Sequence, residues 1–175
     1  APGLVDVGRG IALDMDPNYY GYEMYSTQPG IWDANGNKIF ANNLWAPEGL
    51  WWDGDLSREF VDGAGSGALS PVVNKFNPAN GSVDRMYTIY NDNGGVHQAF
   101  GGRAAFWGDI LGDWREEIVL VNNSFTELRI YTTTIPTKHR LTTLLHDSQY
   151  RVAIAWQNTA YNQPPHPSFY LDESA

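Results

Sequence analysis

Cysteine is absent from the 175 residues. No disulfide framework, thiolate metal site or thiol nucleophile is therefore available, and sulfur says nothing about the redox compartment. Basic residues are few: eleven Lys and Arg against twenty Asp and Glu leave a formal net charge of -9. Nucleic acid is excluded as a partner, because its phosphates need a basic face. An acidic ligand remains open wherever local arginines or a bound cation reverse the field. No apolar run approaches the roughly 20 residues that span a bilayer, so no membrane partner is expected. The opening Ala1-Pro2-Gly3 shows no signal-peptide pattern, so a secreted protein would have its leader outside this sequence. Seven Trp and ten Tyr stand out among abundant Gly, Pro and Asn. That mixture favours an all-β domain with many turns, and the length suits a single domain with a real core.

The chain repeats itself. Gly8-Arg9-Gly10-Ile11-Ala12-Leu13-Asp14-Met15-Asp16, closing with Glu23-Met24-Tyr25, is echoed by Gly102-Arg103-Ala104-Ala105-Phe106-Trp107-Gly108-Asp109, closing with Glu117-Ile118-Val119. Each copy runs Gly-Arg, a small apolar strand, an acidic turn, then a glutamate that opens the next strand. Such a repeat implies a repeated structural unit. Strand-like segments recur along the chain: Tyr22–Ser26, Gly30–Asp33 and Lys38–Ala41 around the hairpin signal Asn35-Gly36, then Leu50–Trp52, Glu59–Val61, Val72–Phe76 and Met86–Tyr90. Glu117–Val121, Leu128–Thr133, Arg140–Leu145 and Arg151–Trp156 read as four more strands. Four antiparallel strands in roughly 40 residues is the size of one β-propeller blade. No helix is expected. The chain divides into about three blades, residues 9–52, 53–108 and 109–171, and three blades cannot close a ring. It reads as part of a larger propeller, completed by further blades in the same or another chain.

Asp14-x-Asp16-x-Asn18 with Glu23, and Asp109 and Asp113 with Glu117, place oxygen donors in tight turns ahead of a late carboxylate. Asp53-x-Asp55-x-Ser57-x-Glu59 is a weaker third copy. Hard oxygens so arranged suit Ca2+; the alternative is a set of acidic surface turns that cap strands. Arg9 and Arg103, each ahead of a small-residue strand, either converge on an anionic ligand or pair internally with Asp6 or Asp109. The loop Trp156–Pro167 gathers amides, Tyr161 and His166. It suits sugar binding, or else serves as a proline-stiffened closure in which His166 is structural.

Gly8-Arg-Gly10 with Asp14-Met-Asp-Pro17, Leu50-Trp-Trp-Asp-Gly-Asp-Leu-Ser-Arg-Glu59, Gly108-Asp-Ile-Leu-Gly-Asp-Trp-Arg-Glu-Glu117, Thr134-Ile-Pro-Thr-Lys-His-Arg140 and His146 to His166 resemble the C-terminal part of the rhamnogalacturonan lyases of polysaccharide lyase family 11. The resemblance covers nearly the whole chain in order. It implies a secreted, extracellular, calcium-binding, eight-bladed β-propeller that cleaves the rhamnogalacturonan I backbone of pectin by β-elimination. The pectic polysaccharide would be its partner. By the same resemblance Arg9 and Tyr161 match active-site residues, and Asn158 and Ala160, flanked by Gln157 and Asn162, match positions near bound sugar. The family's lysine in an Asn-Gly-Thr-Lys loop has no counterpart in Asn93–Arg103, where Arg103 is the candidate replacement. The implied chemistry removes the C5 proton of galacturonate and expels the C4 oxygen. Arg9 and Arg103 would hold the uronate carboxylate and Tyr161 would transfer a proton. The alternatives are a non-catalytic pectin-binding module or an inactive propeller fragment.

Overall fold

Hydrogen bonding gathers the strand-forming segments into three antiparallel four-stranded sheets. The structure, a computed structural model, describes residues 10–26, 28–42, 44, 48–63, 71–97, 105–157, 159 and 163–171, with backbone alone at 62 and 63. The first sheet is β1 (Gly10–Leu13), β2 (Glu23–Ser26), β3 (Ile31–Trp32) and β4 (Lys38–Phe40), paired in that order. Its Asn35-Gly36 hairpin forms as expected. Asp33 accepts from the Asn35 and Asn37 N–H groups, and Gly36 supplies the positive φ of +82°.

The second sheet is β5 (Gly49–Leu50), β6 (Glu59–Gly63), β7 (Pro71–Asn77) and β8 (Ser82–Thr88), again in sequence order. The third comprises β9 (Val96–His97), β10 (Phe106–Gly108), β11 (Glu117–Asn122) and β12 (Leu128–Tyr131). There β9 and β10 lie in line along one edge of β11, pairing Val121↔His97 and Phe106↔Val119, and β12 takes the other edge.

Two expectations are corrected. Leu50 does not end the first unit. It opens the second sheet, pairing with Glu59. Segments 140–145 and 151–156 are not strands: the first is irregular and ends in a 3-10 turn at Leu144–His146, and the second lies in helix α1 (Ser148–Trp156). The alternation in Arg151-Val-Ala-Ile-Ala-Trp156 suggests a strand, but the deciding features lie around it. Asp147 caps the helix by accepting from the Gln149 and Tyr150 N–H groups, and Tyr150 and Ala153, three apart, form the buried face. The third sheet takes its remaining strands from β9 and β10 upstream.

The sheets stack face to face. Leu13, Tyr25 and Ile31 of the first pack on Phe60 and Phe76 of the second. Leu50, Val61 and Val73 on the opposite face of the second pack on Trp107, Ile118, Leu120 and Tyr131 of the third. With both faces covered, β7 reads Pro-Val-Val-Asn-Lys-Phe-Asn, a nearly continuous buried run rather than an alternating one. A third cluster, Trp51, Leu56, Trp114, Leu144 and Tyr150, seats α1 against the turns of the last two sheets. Two equivalent backbone bonds link successive sheets: Arg58 N–H to the Asp14 carbonyl and Glu116 N–H to the Trp51 carbonyl, each 2.7 Å. The C-terminal segment returns to the first sheet, where Tyr170 packs edge-on against Tyr20 and Tyr22.

Candidate functional site

The three acidic turns share one construction. Leu13, Leu50 and Gly108, at the ends of β1, β5 and β10, pair with Glu23, Glu59 and Glu117, which open β2, β6 and β11. In each turn, the N–H groups two and three residues beyond the strand end point at one carboxylate oxygen of that glutamate. Met15 and Asp16 donate to Glu23 Oε2 at 2.9 Å each. Trp52 and Asp53 donate to Glu59 Oε2 at 2.8 and 3.1 Å. Ile110 and Leu111 donate to Glu117 Oε2 at 2.9 and 3.0 Å. All three glutamates are buried. A buried carboxylate that accepts two backbone amides is a turn latch, since turn N–H groups would otherwise lack partners.

The turns differ in what meets the second oxygen. At the first turn, Glu23 Oε1 and Asp16 Oδ2 are buried with no hydrogen-bond partner. Asp16 Oδ1 is held by the backbone and side-chain amides of Asn18 at 3.0 and 2.8 Å. Burial, with the Asp16 charge adding to it, pushes Glu23 up to about 7 against the pull of the turn amides. Asp14 is buried and has its own contact. Two buried carboxylates with bare oxygens require a proton or a cation. Of the four first-turn residues expected as metal ligands, Asp16 and Glu23 are the two that keep a buried oxygen without a hydrogen-bond partner.

At the second turn, the Nζ of Lys75 lies 2.5 Å from Asp53, 2.7 Å from Asp55 and 2.7 Å from Glu59. These three carboxylates offer oxygens within 4.8 Å of one another, a spacing that could hold a metal. The lysine ammonium already fills the space between them. Burial by itself would lower the Lys75 pKa, but Glu59, Asp53 and Asp55 outweigh it and the pKa is raised.

At the third turn the carboxylates meet protein donors. Thr132 donates to Glu117 Oε1 at 3.1 Å. Asp109 accepts from Gly112 N–H, the Thr143 hydroxyl and Leu144 N–H. Asp113 pairs with Arg115 at 2.7 Å. Asp109, Asp113 and Glu117, expected together as metal ligands, thus each carry protein donors, and Asp109 works as a staple to the segment before α1.

A buried polar chain that the sequence reading missed joins the second and third sheets to the helix. Arg58, 2% exposed, donates to the Gly49 carbonyl at 3.0 Å and to Glu116 at 3.3 Å, and lies 4.1 Å over the Trp51 ring. Glu116 also accepts from Trp51 N–H at 2.9 Å and from the Tyr150 hydroxyl at 2.6 Å. Tyr150 in turn accepts from Asp109 N–H at 2.9 Å. Burial and the neighbouring Glu116 raise Tyr150, so it stays a donor. His166 Nδ1 faces Arg58 Nη1 at 3.3 Å, and burial, then the Arg58 charge, drive its pKa down to about 3. The half-buried imidazole is thus kept neutral, and it also borders the open groove beside α1. The signal for this chain was an arginine or glutamate directly before a latch glutamate, in Arg58-Glu59 and Glu116-Glu117. Its partners lie too far along the sequence to be read from it.

Gln157, expected at the sugar, has both ends of its amide on the Trp107 backbone: Nε2 donates to the carbonyl at 2.6 Å and Oε1 accepts from N–H at 3.1 Å. Its observed position ties the C-terminal end of α1 to β10. Arg9, Arg103, Asn158, Ala160, Tyr161 and Asn162 lie outside the described residues. Beside the anchor, Val152, Trp156, Gln149 and Gln163 line part of an open groove of about 820 Å³.

Stacked four-stranded sheets with glutamate-latched acidic turns define an all-β repeat protein. The sequence places it further: residues 2–175 match the family described as Rhamnogalacturonan lyase family 11, C-terminal domain, and the chain belongs to that family. It is 44% identical over 169 residues to Rhamnogalacturonan endolyase YesW of Bacillus subtilis (strain 168), covering 96% of this chain and 26% of that protein. It is 40% identical over 182 residues to Rhamnogalacturonan exolyase YesX of the same organism, covering 95% and 28%. The crystal structure of YesW superposes with a TM-score of 0.84 over 97% of this chain and 28% of that one. The Bacillus licheniformis rhamnogalacturonan lyase of family PL11, 44% identical, gives 0.82 over 96% and 27%. This chain thus spans about a quarter of the length of the relatives it matches.

Proposed function

We propose that this chain is the C-terminal part of a secreted, extracellular rhamnogalacturonan lyase that cleaves the rhamnogalacturonan I backbone by β-elimination at galacturonate. The observation that carries the reading is family membership over almost the entire chain. In the proposed chemistry Arg9 and Arg103 bind the uronate carboxylate, whose neutralisation makes the C5 proton more acidic. Tyr161 exchanges a proton with the sugar as the C4–oxygen bond breaks. Asn158, Ala160 and Asn162 border the sugar, and Gln157 just before them is held by its pairing with Trp107.

The finer architectural reading is a larger, eight-bladed propeller, and the bare face of the third sheet supports it. Ile31 and Val73 occupy matching places in the first two sheets, opposite Tyr25 and Val61, and both are 0% exposed beneath the following sheet. Their counterpart Ile130, opposite Val119, is 57% exposed, and Leu128 beside it is 71% exposed. A further sheet, supplied by the remaining blades, is what such a face lacks.

Calcium belongs to the same reading. Asp16 and Glu23 would hold the ion, and Asn18 orients Asp16. A bound cation would neutralise the two buried carboxylates and so stabilise the turn.

The test is incubation with rhamnogalacturonan I and calcium, followed by the ultraviolet absorbance of the unsaturated uronate product. A rise supports the lyase. Saturable sugar binding without a rise supports the second reading, a pectin-binding module. Neither product nor binding contradicts both.

A further inference from the structure

We propose that Lys75 is a built-in replacement for a metal ion: the second turn is a cation site of the same design as the first, with an ammonium group where the first turn would take a divalent cation. Counting from the strand ends Leu13 and Leu50, Asp16 and Asn18 of the first turn fall on Asp53 and Asp55 of the second, and Glu23 and Glu59 correspond as the residues paired across from those strand ends. The local bonding is the same. Asn18 N–H donates to Asp16 Oδ1 at 3.0 Å, and Asp55 N–H donates to Asp53 Oδ1 at 2.9 Å. Both glutamates take two turn amides.

What separates the turns is one position on the neighbouring strand. Lys75 of β7 pairs across from Glu59. In the first sheet the pairing ends at Met24 with Trp32, and the next residue, Asp33, spends its carboxylate on the Asn35 and Asn37 amides of the hairpin. The Lys75 ammonium closes the second turn with three charge-assisted bonds. In the first turn no ammonium of the described residues is bonded to Glu23 Oε1 or Asp16 Oδ2, and both are bare. Metal dependence at each turn is thus set by a side chain contributed from the adjacent strand, and the Asp53–Asp55–Glu59 cluster takes no divalent cation while Lys75 is present. The comparison rests on the proposed cation reading of the first turn.

The experiment is calcium titration by calorimetry, with thermal melting in calcium and in chelator, of the wild-type chain, Lys75→Met and Lys75→Gln. The expected result is one additional calcium equivalent per chain in Lys75→Met, with a Kd on the order of 10⁻⁴–10⁻³ M. A calcium-dependent rise in melting temperature larger than the wild type's should accompany it, and Asp53→Asn added to Lys75→Met should remove both. If Lys75→Met is unfolded in chelator, refolding on calcium addition is the supporting result. A folded Lys75→Met that takes up no more calcium than the wild type overturns the proposal. So does failure of calcium to rescue both lysine variants. Failure of the first-turn reading shows up separately: wild type and Glu23→Gln would then bind the same amount of calcium.

Discussion

At the scale of single residues, the molecule relies on buried carboxylates whose oxygens are individually assigned. Glu116 shows what such a group holds together: one oxygen takes the Tyr150 hydroxyl and the other takes Trp51 N–H and Arg58. Removing the hydroxyl strands both Glu116 and Asp109 N–H. Tyr150→Phe should therefore lower stability by about 1–3 kcal/mol in urea unfolding, the cost of buried groups left without partners. His166 makes a pH prediction with a definite sign. The unfolded chain takes up a proton near 6.5, whereas the folded chain does so only near 3. Between those values the unfolded state holds more protons, so stability falls as pH falls. His166→Asn should flatten that part of the melting-temperature profile relative to wild type, and parallel profiles would contradict the assignment. The latch glutamates were legible in sequence as strand openers after acidic turns. Lys75 was not, because only strand register places it beside residues 16 to 22 positions earlier.

At the scale of elements, local signals were readable where they were self-contained. The Asn35-Gly36 hairpin, β6, β7 and β11 follow from composition and turn chemistry. The region after β12 did not, because its conformation is fixed by distant anchors: Asp109 on Thr143 and Leu144, Tyr150 in the buried chain, and Gln157 on Trp107. Asp147 is the local determinant of α1. It caps the helix and also accepts from Ser168 N–H at 2.6 Å and the Ser168 hydroxyl at 2.9 Å, tying the tail to the helix start. Asp147→Ala should lower stability by about 1 kcal/mol, the typical cost of a lost N-cap, and speed hydrogen exchange in the first turn of α1. Unchanged exchange there would mean that packing of Tyr150 and Ala153 alone holds the helix.

At the scale of the whole molecule, the repeat was visible in sequence while the unit boundaries were not. Leu50 opens the second sheet, and β9 and β10 join the third from upstream. On the proposed reading, the first turn is the one that holds a cation. Chelator should lower the melting temperature of the wild-type chain, and Glu23→Gln should remove most of that response. A chelator effect unchanged by Glu23→Gln would place the bound cation elsewhere.

The most direct test of the account as a whole is a chimera in which this chain replaces the matching C-terminal quarter of the Bacillus subtilis endolyase, assayed for unsaturated uronate from rhamnogalacturonan I. The account predicts product from the chimera, and its loss in Tyr161→Phe with melting behaviour unchanged. A folded chimera that forms no product, or one that works equally well with Tyr161→Phe, would contradict it.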